Sequence, residues 1–168
     1  MACAETRNGR EDFAAVYDMY YGRIFKYAYS LLLKREDAED VTADTFLAAY
    51  ANYDRYDPGR ASVATWLTRI AHNRAVNFLR SPAHARRGSL PEWHELPDTA
   101  DHTRRIEASD TVLRLYARLR PDERELLNMR CVMELKFSEI AALLCIPEKT
   151  ANKRWQRLLA KCRTLLED

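Results

Sequence analysis

Glycine, proline and cysteine are scarce in this chain of 168 residues, which has 4, 6 and 4 of them. A composition poor in Gly and Pro but rich in Ala, Leu, Arg and Glu favours helices and disfavours a β-sandwich or a barrel. No run of about eighteen apolar residues is present, which argues against a membrane-spanning helix. The first residues, MACAETRNGRED, also lack the apolar centre of a signal peptide. We therefore expect a helical protein that stays in the cytoplasm.

The signatures of catalysis and metal binding are missing as well. The cysteines stand far apart without a CxxC pair, and the histidines are scattered, which argues against a disulfide framework and a zinc site. The chain has no Gly-rich phosphate loop, no catalytic-triad pattern and no metal-ligand spacing. We predict a protein that is not an enzyme, with no catalytic residue, metal, cofactor or small-molecule substrate.

What the chain does have is charge sorted by segment. Residues 11–58 carry 10 acids against 5 bases, whereas residues 60–87 carry 6 arginines and no acid. Residues 88–110 are acidic again, with 6 acids and 2 bases, and residues 111–168 carry 12 bases and 8 acids. This pattern predicts two cationic surfaces separated by an acidic stretch, and one acidic surface near the front of the chain.

Apolar residues recur at helical spacing over two parts of the chain. The fold class we predict is all-α, with a three-helix domain over 11–80 and a four-helix domain over 106–168. Residues 81–105 contain several prolines and little periodicity, and we interpret them as a linker. The predicted helices cover residues 11–33, 36–52, 62–80, 106–119, 121–132, 138–144 and 148–166.

Two local details of these helices are also predicted. In the third helix, Val63, Trp66, Leu67, Ile70 and Ala71 are expected to face inward. In the last domain, Ser138 is expected to cap the short helix that follows it.

The most informative stretch, from Phe137 to Arg163, reads FSEIAALLCIPEKTANKRWQRLLAKCR. A short helix, a tight turn and a longer helix form a helix-turn-helix pattern. Between Ile146 and Arg163 lie six bases and a single acid, Glu148. Arg and Lys donate to guanine edges or phosphates, and Asn or Gln can pair with adenine. The second helix is therefore predicted to read duplex DNA, against the alternative of a solvated basic face.

Two further segments admit a functional and a plain interpretation. The arginines, asparagines and Trp66 of residues 61–80 suit single-stranded DNA, which basic tracks with stacking rings bind, although a tryptophan is more often a core residue. The acids of residues 36–44 suit a basic protein partner, although a solvated helix face is the simpler explanation. Metal binding there would need a compact loop of oxygen ligands, and none is present.

Taken in order, three segments resemble one family. They are DAEDVTADTFLAAY at 37–50, ATWLTRIAHNRAVNFLR at 64–80 and the segment 119–163 that contains the helix-turn-helix. The chain resembles the sigma-70 family, specifically an extracytoplasmic-function (ECF) sigma factor, over residues 13–166 apart from the linker. The resemblance implies a subunit of bacterial RNA polymerase made of sigma regions 2 and 4, with core polymerase and promoter DNA as partners and an anti-sigma factor as an inhibitor.

The resemblance also implies roles for particular residues. It implies that Asp37, Glu39, Asp40 and Asp44 bind the clamp helices of the β′ subunit. The loop 53–60 resembles the one that holds a flipped base, and −10 contacts fall to Arg60, Trp66, Arg69, Asn73, Arg74, Asn77 and Arg80. The β subunit of core polymerase is implied as a further partner. The second domain is expected to read the −35 element through Lys149, Thr150, Asn152, Lys153, Arg154, Gln156 and Arg157.

The chain departs from the family pattern at three positions. Ala43 stands where the family usually has Gln in the docking helix, and Val63 stands where an aromatic residue is common. Cys145 replaces the turn glycine of the helix-turn-helix, so it must adopt a positive φ or shift the turn.

Two rival functions remain at this point. A stand-alone helix-turn-helix regulator would bind duplex DNA without polymerase, with residues 11–80 sensing or dimerising. A helical adaptor would bind only other proteins.

Overall fold

A computed structural model describes residues 5–81 and 110–167, with side chains described for 12–81 and 114–167. The chain divides into two compact units, Met1–Trp93 and His94–Asp168. Regular structure in the described residues is entirely helical, which confirms the predicted fold class. None of the helices in these two ranges combines the length and the apolarity needed to cross a bilayer. The predicted linker, 81–105, lies outside the described residues except for Ser81.

The first unit is a three-helix bundle. Its helices are α1 (Glu5–Leu32), α2 (Arg35–Ala51) and α3 (Val63–Arg80), with one 3₁₀ turn at Tyr53–Arg55 between the last two. Each of the three helices packs against both of the others. Helix α1 begins at Glu5 rather than at the predicted residue 11, and the predicted bounds of α2 and α3 agree with the structure to within one residue.

Apolar stripes and satisfied threonines form the core of this bundle. The predicted inward stripe of α2 is confirmed, because Ala38, Val41, Thr45, Phe46 and Ala49 are all buried. The hydroxyls of three buried threonines donate to the carbonyl one turn earlier, at 2.6 Å for Thr42 and Thr45 and 2.7 Å for Thr68. Buried polar groups are tolerated when they are hydrogen-bonded in this way.

The inward face of α3 is rotated from the predicted one toward Ala64, Thr68 and Ala75, which are buried. Leu67 and Ala71 are fully buried, but Val63, Trp66 and Ile70 are only half-buried. Helical spacing identifies the central line of an apolar stripe well, whereas its edges depend on how closely the neighbouring helices approach. The prediction that these three side chains face the core is corrected accordingly.

The second unit has four helices, as predicted. They are α4 (Asp110–Arg118), α5 (Pro121–Cys131), α6 (Phe137–Leu143) and α7 (Glu148–Glu167). The other three helices all contact α7, and α5 also contacts α6. Residues 106–109, where the first of these helices was predicted to begin, lie outside the described residues. The centre of the unit is apolar, with Met129, Ile140 and Ala151 fully buried.

Helices α5 and α6 begin in the same way, and this corrects one prediction. The backbone N–H of Arg120 donates to Glu123 Oε2 at 2.8 Å, and the N–H of Lys136 donates to Glu139 Oε2 at 2.7 Å. In each case a glutamate inside the first turn binds the N–H of the residue before the helix, as in half of a capping box. Ser138 is therefore the second residue of α6 rather than its N-cap.

The turn between α6 and α7 contains Cys145 in the left-handed region, with φ of 52°. The N–H of Ile146 reaches back to the carbonyl of Ala141 at 3.0 Å, the bond expected of a Schellman motif. Of the two outcomes predicted for Cys145, a positive φ or a shifted turn, the structure shows the positive φ. A side chain with a Cβ is strained in this conformation by about 1–2 kcal/mol.

Replacing Cys145 by glycine should therefore stabilise the second unit. We expect Cys145→Gly to raise the free energy of unfolding by about 1 kcal/mol, which corresponds to a rise in melting temperature of about 4–8 °C for a unit of this size. Thermal unfolding followed by circular dichroism measures the change. Cys145→Ala is the control, since it removes the thiol but keeps the strain. Equal melting temperatures for the glycine and alanine variants would contradict the assignment of strain to this position.

Candidate functional site

The acidic residues of α2 do not all lie at the surface. Asp40 and Asp44 are exposed, and Glu39 is half-buried and accepts a hydrogen bond of 2.7 Å from Arg35 Nε. Asp37 is only 3% exposed, so it does not share the exposed face on which the spacing had placed it. The exposed acidic set is therefore smaller than predicted.

Two large apolar side chains continue the same exposed face. Leu47 is 68% exposed and Tyr50 is 45% exposed. Because helical residues three and four apart are neighbours, Asp40, Asp44 and Leu47 lie along one side of α2, with Tyr50 at its edge. We call Asp40, Ala43, Asp44, Leu47 and Tyr50 the α2 outer face. Sequence reasoning missed its apolar part, although both residues fall outside the inward stripe of this helix.

The predicted polar stripe of α3 is exposed along its length. Arg69, Asn73, Asn77 and Arg80 follow one another at spacings of three and four and are exposed, with Arg74 beside them. Arg60 is exposed in the loop that precedes the helix. Arg69, Arg74 and Arg80 form no ion pair within the described part of the chain. Their charges are available to an anionic partner.

An aromatic cluster lies where this stripe begins. The ring of Tyr56 lies 4.9 Å from that of Trp66, and Tyr53 lies 6.2 Å from each of them, measured between ring centroids. The Tyr56 hydroxyl donates to the carbonyl of Ala61 at 2.9 Å, which ties the loop 53–60 to the start of α3. Trp66 is half-buried in this cluster, so a part of its ring remains accessible.

The loop beside the cluster is ordered by its own turn. The Asp57 side chain accepts the backbone N–H of Gly59 at 2.8 Å, and the Asp57 carbonyl accepts the N–H of Arg60 at 3.1 Å. Such an Asx arrangement fixes the backbone of a short loop. The rings of Tyr53, Tyr56 and Trp66, which we call the aromatic cluster, are thus held next to the arginines and asparagines of α3. Sequence reasoning singled out the loop but did not predict its two tyrosines as partners of Trp66.

In the second unit, α7 is positioned by burial of one side only. Ala151 and Leu158 are buried, and the ring of Trp155 contacts that of Phe137 of α6 with centroids 6.3 Å apart. The guanidinium of Arg130 of α5 lies over the Phe137 ring, 5.1 Å from its centroid. The contact between Trp155 and Phe137 joins α7 to α6, and the contact between Arg130 and Phe137 joins α5 to α6.

The opposite side of α7 presents the predicted residues. Lys149, Lys153, Arg154, Gln156 and Arg157 are exposed, whereas Thr150 and Asn152 are half-buried. The Asn152 side-chain amide donates to the Glu148 carbonyl at 3.2 Å, so part of its hydrogen-bonding capacity is used within the helix. None of the four cationic side chains forms an ion pair among the described residues. The α7 outer face is defined as Lys149, Lys153, Arg154, Gln156 and Arg157.

Comparison with known proteins assigns both units. A model of sigma-70 region 2 matches residues 16–85, and a model of sigma-70 region 4 matches residues 109–162. The chain is 30% identical over 166 residues to the RNA polymerase sigma factor CarQ of Myxococcus xanthus, covering 95% of this chain and 92% of CarQ. It is 28% identical over 184 residues to the ECF RNA polymerase sigma factor SigW of Bacillus subtilis, covering 98% and 94%. The chain belongs to the sigma-70 family, among its ECF members.

Solved structures of sigma factors share this fold. RpoE of Bartonella quintana, crystallised with the anti-sigma factor NepR, matches with a TM-score of 0.74 and 22% identity, over 94% of this chain and 98% of RpoE. CnrH, solved in complex with the cytosolic domain of CnrY, matches with a TM-score of 0.64 and 24% identity, over 94% of this chain and 89% of CnrH.

Membership in the family confirms the resemblance noted from the sequence. An ECF sigma factor is a non-enzymatic subunit that directs RNA polymerase to promoters. The alternative of a stand-alone helix-turn-helix regulator is not favoured. The region 2 match covers the residues that such a regulator would use for sensing.

Proposed function

We propose that this sigma factor docks on the clamp helices of the β′ subunit through the α2 outer face. Asp40 and Asp44 offer charge to a basic partner, and complementary charge sets the rate and the specificity of association. Leu47 and Tyr50 add apolar area beside those charges, and apolar anchors supply much of the energy of an interface. Glu39 is a secondary contact, since it is half-buried and paired with Arg35. Asp37 is buried in the first turn of α2 and is left out of the docking face.

We propose that α3 and the aromatic cluster recognise the −10 element as it opens. A flipped base costs about a few kcal/mol in lost stacking, and stacking on an aromatic side chain returns about 1–3 kcal/mol per base. The accessible part of Trp66 supports this role, and the tyrosine contacts hold its ring in place. Arg60, Arg69, Arg74 and Arg80 supply phosphate contacts, while Asn73 and Asn77 supply hydrogen bonds.

We propose that the α7 outer face reads the −35 element as a duplex, with the rest of region 4 against the β subunit. Each unit alone binds DNA weakly, and the polymerase raises the effective concentration of the second contact by holding both. The observation that carries the proposal is the presence of one unpaired cationic helix face on each of two separate units. We place this activity in the cytoplasm and infer that an anti-sigma factor regulates it, since the similar RpoE was crystallised in complex with one.

A mobility-shift comparison tests the proposal as a whole. Promoter fragments selected by the assembled holoenzyme are incubated with the protein alone and with the protein plus core RNA polymerase. We expect stable, heparin-resistant complexes only when core polymerase is present. Tight binding of duplex DNA by the protein alone, as a dimer, would instead support the helix-turn-helix regulator.

Truncation of the aromatic cluster should impair opening more than binding. We expect Trp66→Ala to reduce open-complex formation about tenfold, because one stacking platform of about 1–3 kcal/mol is lost. The fluorescence of 2-aminopurine placed in the −10 element reports opening, and a filter assay reports closed binding. Trp66→Phe is the control and should retain most of the activity, since a ring remains. An equal loss in closed binding would contradict a role in opening.

A further inference from the structure

One ion pair joins α5 to the helix that is proposed to read DNA. Lys161 Nζ of α7 lies 2.6 Å from Glu123 Oε2 of α5, and the Glu123 side chain is only 15% exposed. The same carboxylate accepts the N–H of Arg120 at 2.8 Å and lies 3.5 Å from Arg120 Nε through its other oxygen. Glu123 is thus fixed from two sides, and Lys161 is bound to a fixed acceptor.

The charge state of Glu123 agrees with this geometry. Burial opposes ionisation of the carboxyl, but the hydrogen bonds from Lys161 and from the Arg120 N–H outweigh it and keep the pKa of Glu123 below its usual value. The carboxylate is therefore ionised at neutral pH. Its contribution to stability is complete above the ordinary glutamate pKa and is lost as the pH falls through the lowered folded-state pKa.

Helical spacing alone would place Lys161 in one row with two bases that are proposed to contact DNA. Lys153, Arg157 and Lys161 follow at intervals of four along α7, so they form one row of bases on the sequence. In the structure the row is divided, because Lys153 and Arg157 are exposed and unpaired while Lys161 turns to Glu123. The last member of the row is therefore occupied within the protein.

A contact at Lys161 can control the position of the residues proposed to meet DNA. Helix α7 is continuous from Glu148 to Glu167, and a rise of about 1.5 Å per residue puts Lys153 about 12 Å from Lys161. A tilt of about 10° around Lys161 would then move Lys153 by about 2 Å, more than a hydrogen bond tolerates.

We propose that the Glu123–Lys161 ion pair is a positioning contact for −35 recognition, which sets the orientation of α7 relative to α5. Lys161 acts through Lys153 and Arg157 and does not contact DNA. This inference rests on the proposed function of the α7 outer face.

The direction in which Glu123→Gln changes DNA affinity distinguishes a positioning contact from a general effect of charge. Glu123→Gln makes the protein more positive, which by itself would tighten binding to DNA. We expect about tenfold weaker binding instead, measured by fluorescence anisotropy with holoenzyme and a −35 duplex selected from a random library by the wild-type holoenzyme. The glutamine oxygen can still accept the Arg120 N–H, so the start of α5 is retained. Asp122→Asn is the matched control, with the same change in charge on an exposed neighbour, and should not weaken binding.

The salt dependence of binding separates a positioning contact from a phosphate contact. The slope of log K against log salt concentration is negative, and loss of one phosphate contact reduces its magnitude by about 0.9. We expect Lys161→Met to weaken binding about tenfold with an unchanged slope, and Lys161→Arg to restore binding. A slope reduced by about 0.9, or unchanged or tighter binding by Glu123→Gln, would overturn the proposal. If wild-type holoenzyme binds no selected duplex, the proposed function fails instead.

Discussion

Reversal of charge at Asp40 and Asp44 should abolish association of this sigma factor with core RNA polymerase. Both side chains are exposed on the α2 outer face, and lysines there would place positive charge against the basic partner proposed for them. Close charge pairs across an interface are worth about 1.5–7 kcal/mol. The double variant Asp40→Lys with Asp44→Lys should therefore bind core polymerase at least about a hundredfold more weakly. Co-elution of the purified components on size exclusion measures the loss.

A variant with the same change in net charge controls for a general electrostatic effect. Asp12→Lys with Asp18→Lys makes the equivalent change in the first unit, on exposed residues of α1 outside the α2 outer face. This control should co-elute with core polymerase like the wild type. If the Asp40 and Asp44 variant also co-elutes normally, the docking role of the α2 outer face is refuted. A separate single variant, Leu47→Ala, tests the apolar part of the face.

Removal of Lys153 or Arg157 should weaken promoter-specific transcription and leave core binding intact. Each side chain is exposed and without an ion pair in the described residues. A specific contact in the major groove is worth about 1–3 kcal/mol, or about 5- to 150-fold in affinity. We expect Lys153→Ala and Arg157→Ala each to reduce run-off transcription from the cognate promoter by at least about fivefold.

The salt dependence identifies the kind of contact that each residue makes. A residue that neutralises a phosphate should lower the salt slope by about 1 when it is removed, whereas a base contact should mainly relax sequence preference. The control is Thr164→Ala, an exposed change at the far end of α7, which should transcribe like the wild type. Normal transcription by both alanine variants would show that the α7 outer face is not the recognition surface.

Much of the fold was predictable because it depends on local chemistry. The α2 stripe of Ala38, Val41, Thr45, Phe46 and Ala49 is buried as its spacing requires. Cys145 adopts a positive φ, one of the two outcomes predicted for a residue at the family's glycine position. The spacing of the stripe and the place of Cys145 after α6 are local features of the sequence, although the burial itself comes from other helices, as when Phe13 and Tyr17 of α1 pack on Phe46.

Parts of the candidate site were not predictable, because they depend on contacts between distant segments. Asp37 has the same spacing as Asp40 and Asp44 but is buried, whereas Leu47 is apolar but is the most exposed large apolar side chain described. Trp66 was expected to face inward, but it is half-buried and packs against Tyr53 and Tyr56. Spacing assigns a residue to a side of a helix, but the neighbouring helices decide which part of that side is covered.

The sequence by itself determined the helices, their apolar stripes, the two cationic segments and the family. These features follow from helical periodicity, from the types of residue in each segment and from the order of the motifs along the chain. Only the tertiary structure decided which charged residues are available to partners. Lys161 and Arg157 are equivalent in spacing, yet Lys161 is bound to Glu123, 38 residues away in the chain, and Arg157 is not. Whether a charge faces solvent or another helix depends on how the helices pack, and no local pattern contains that information.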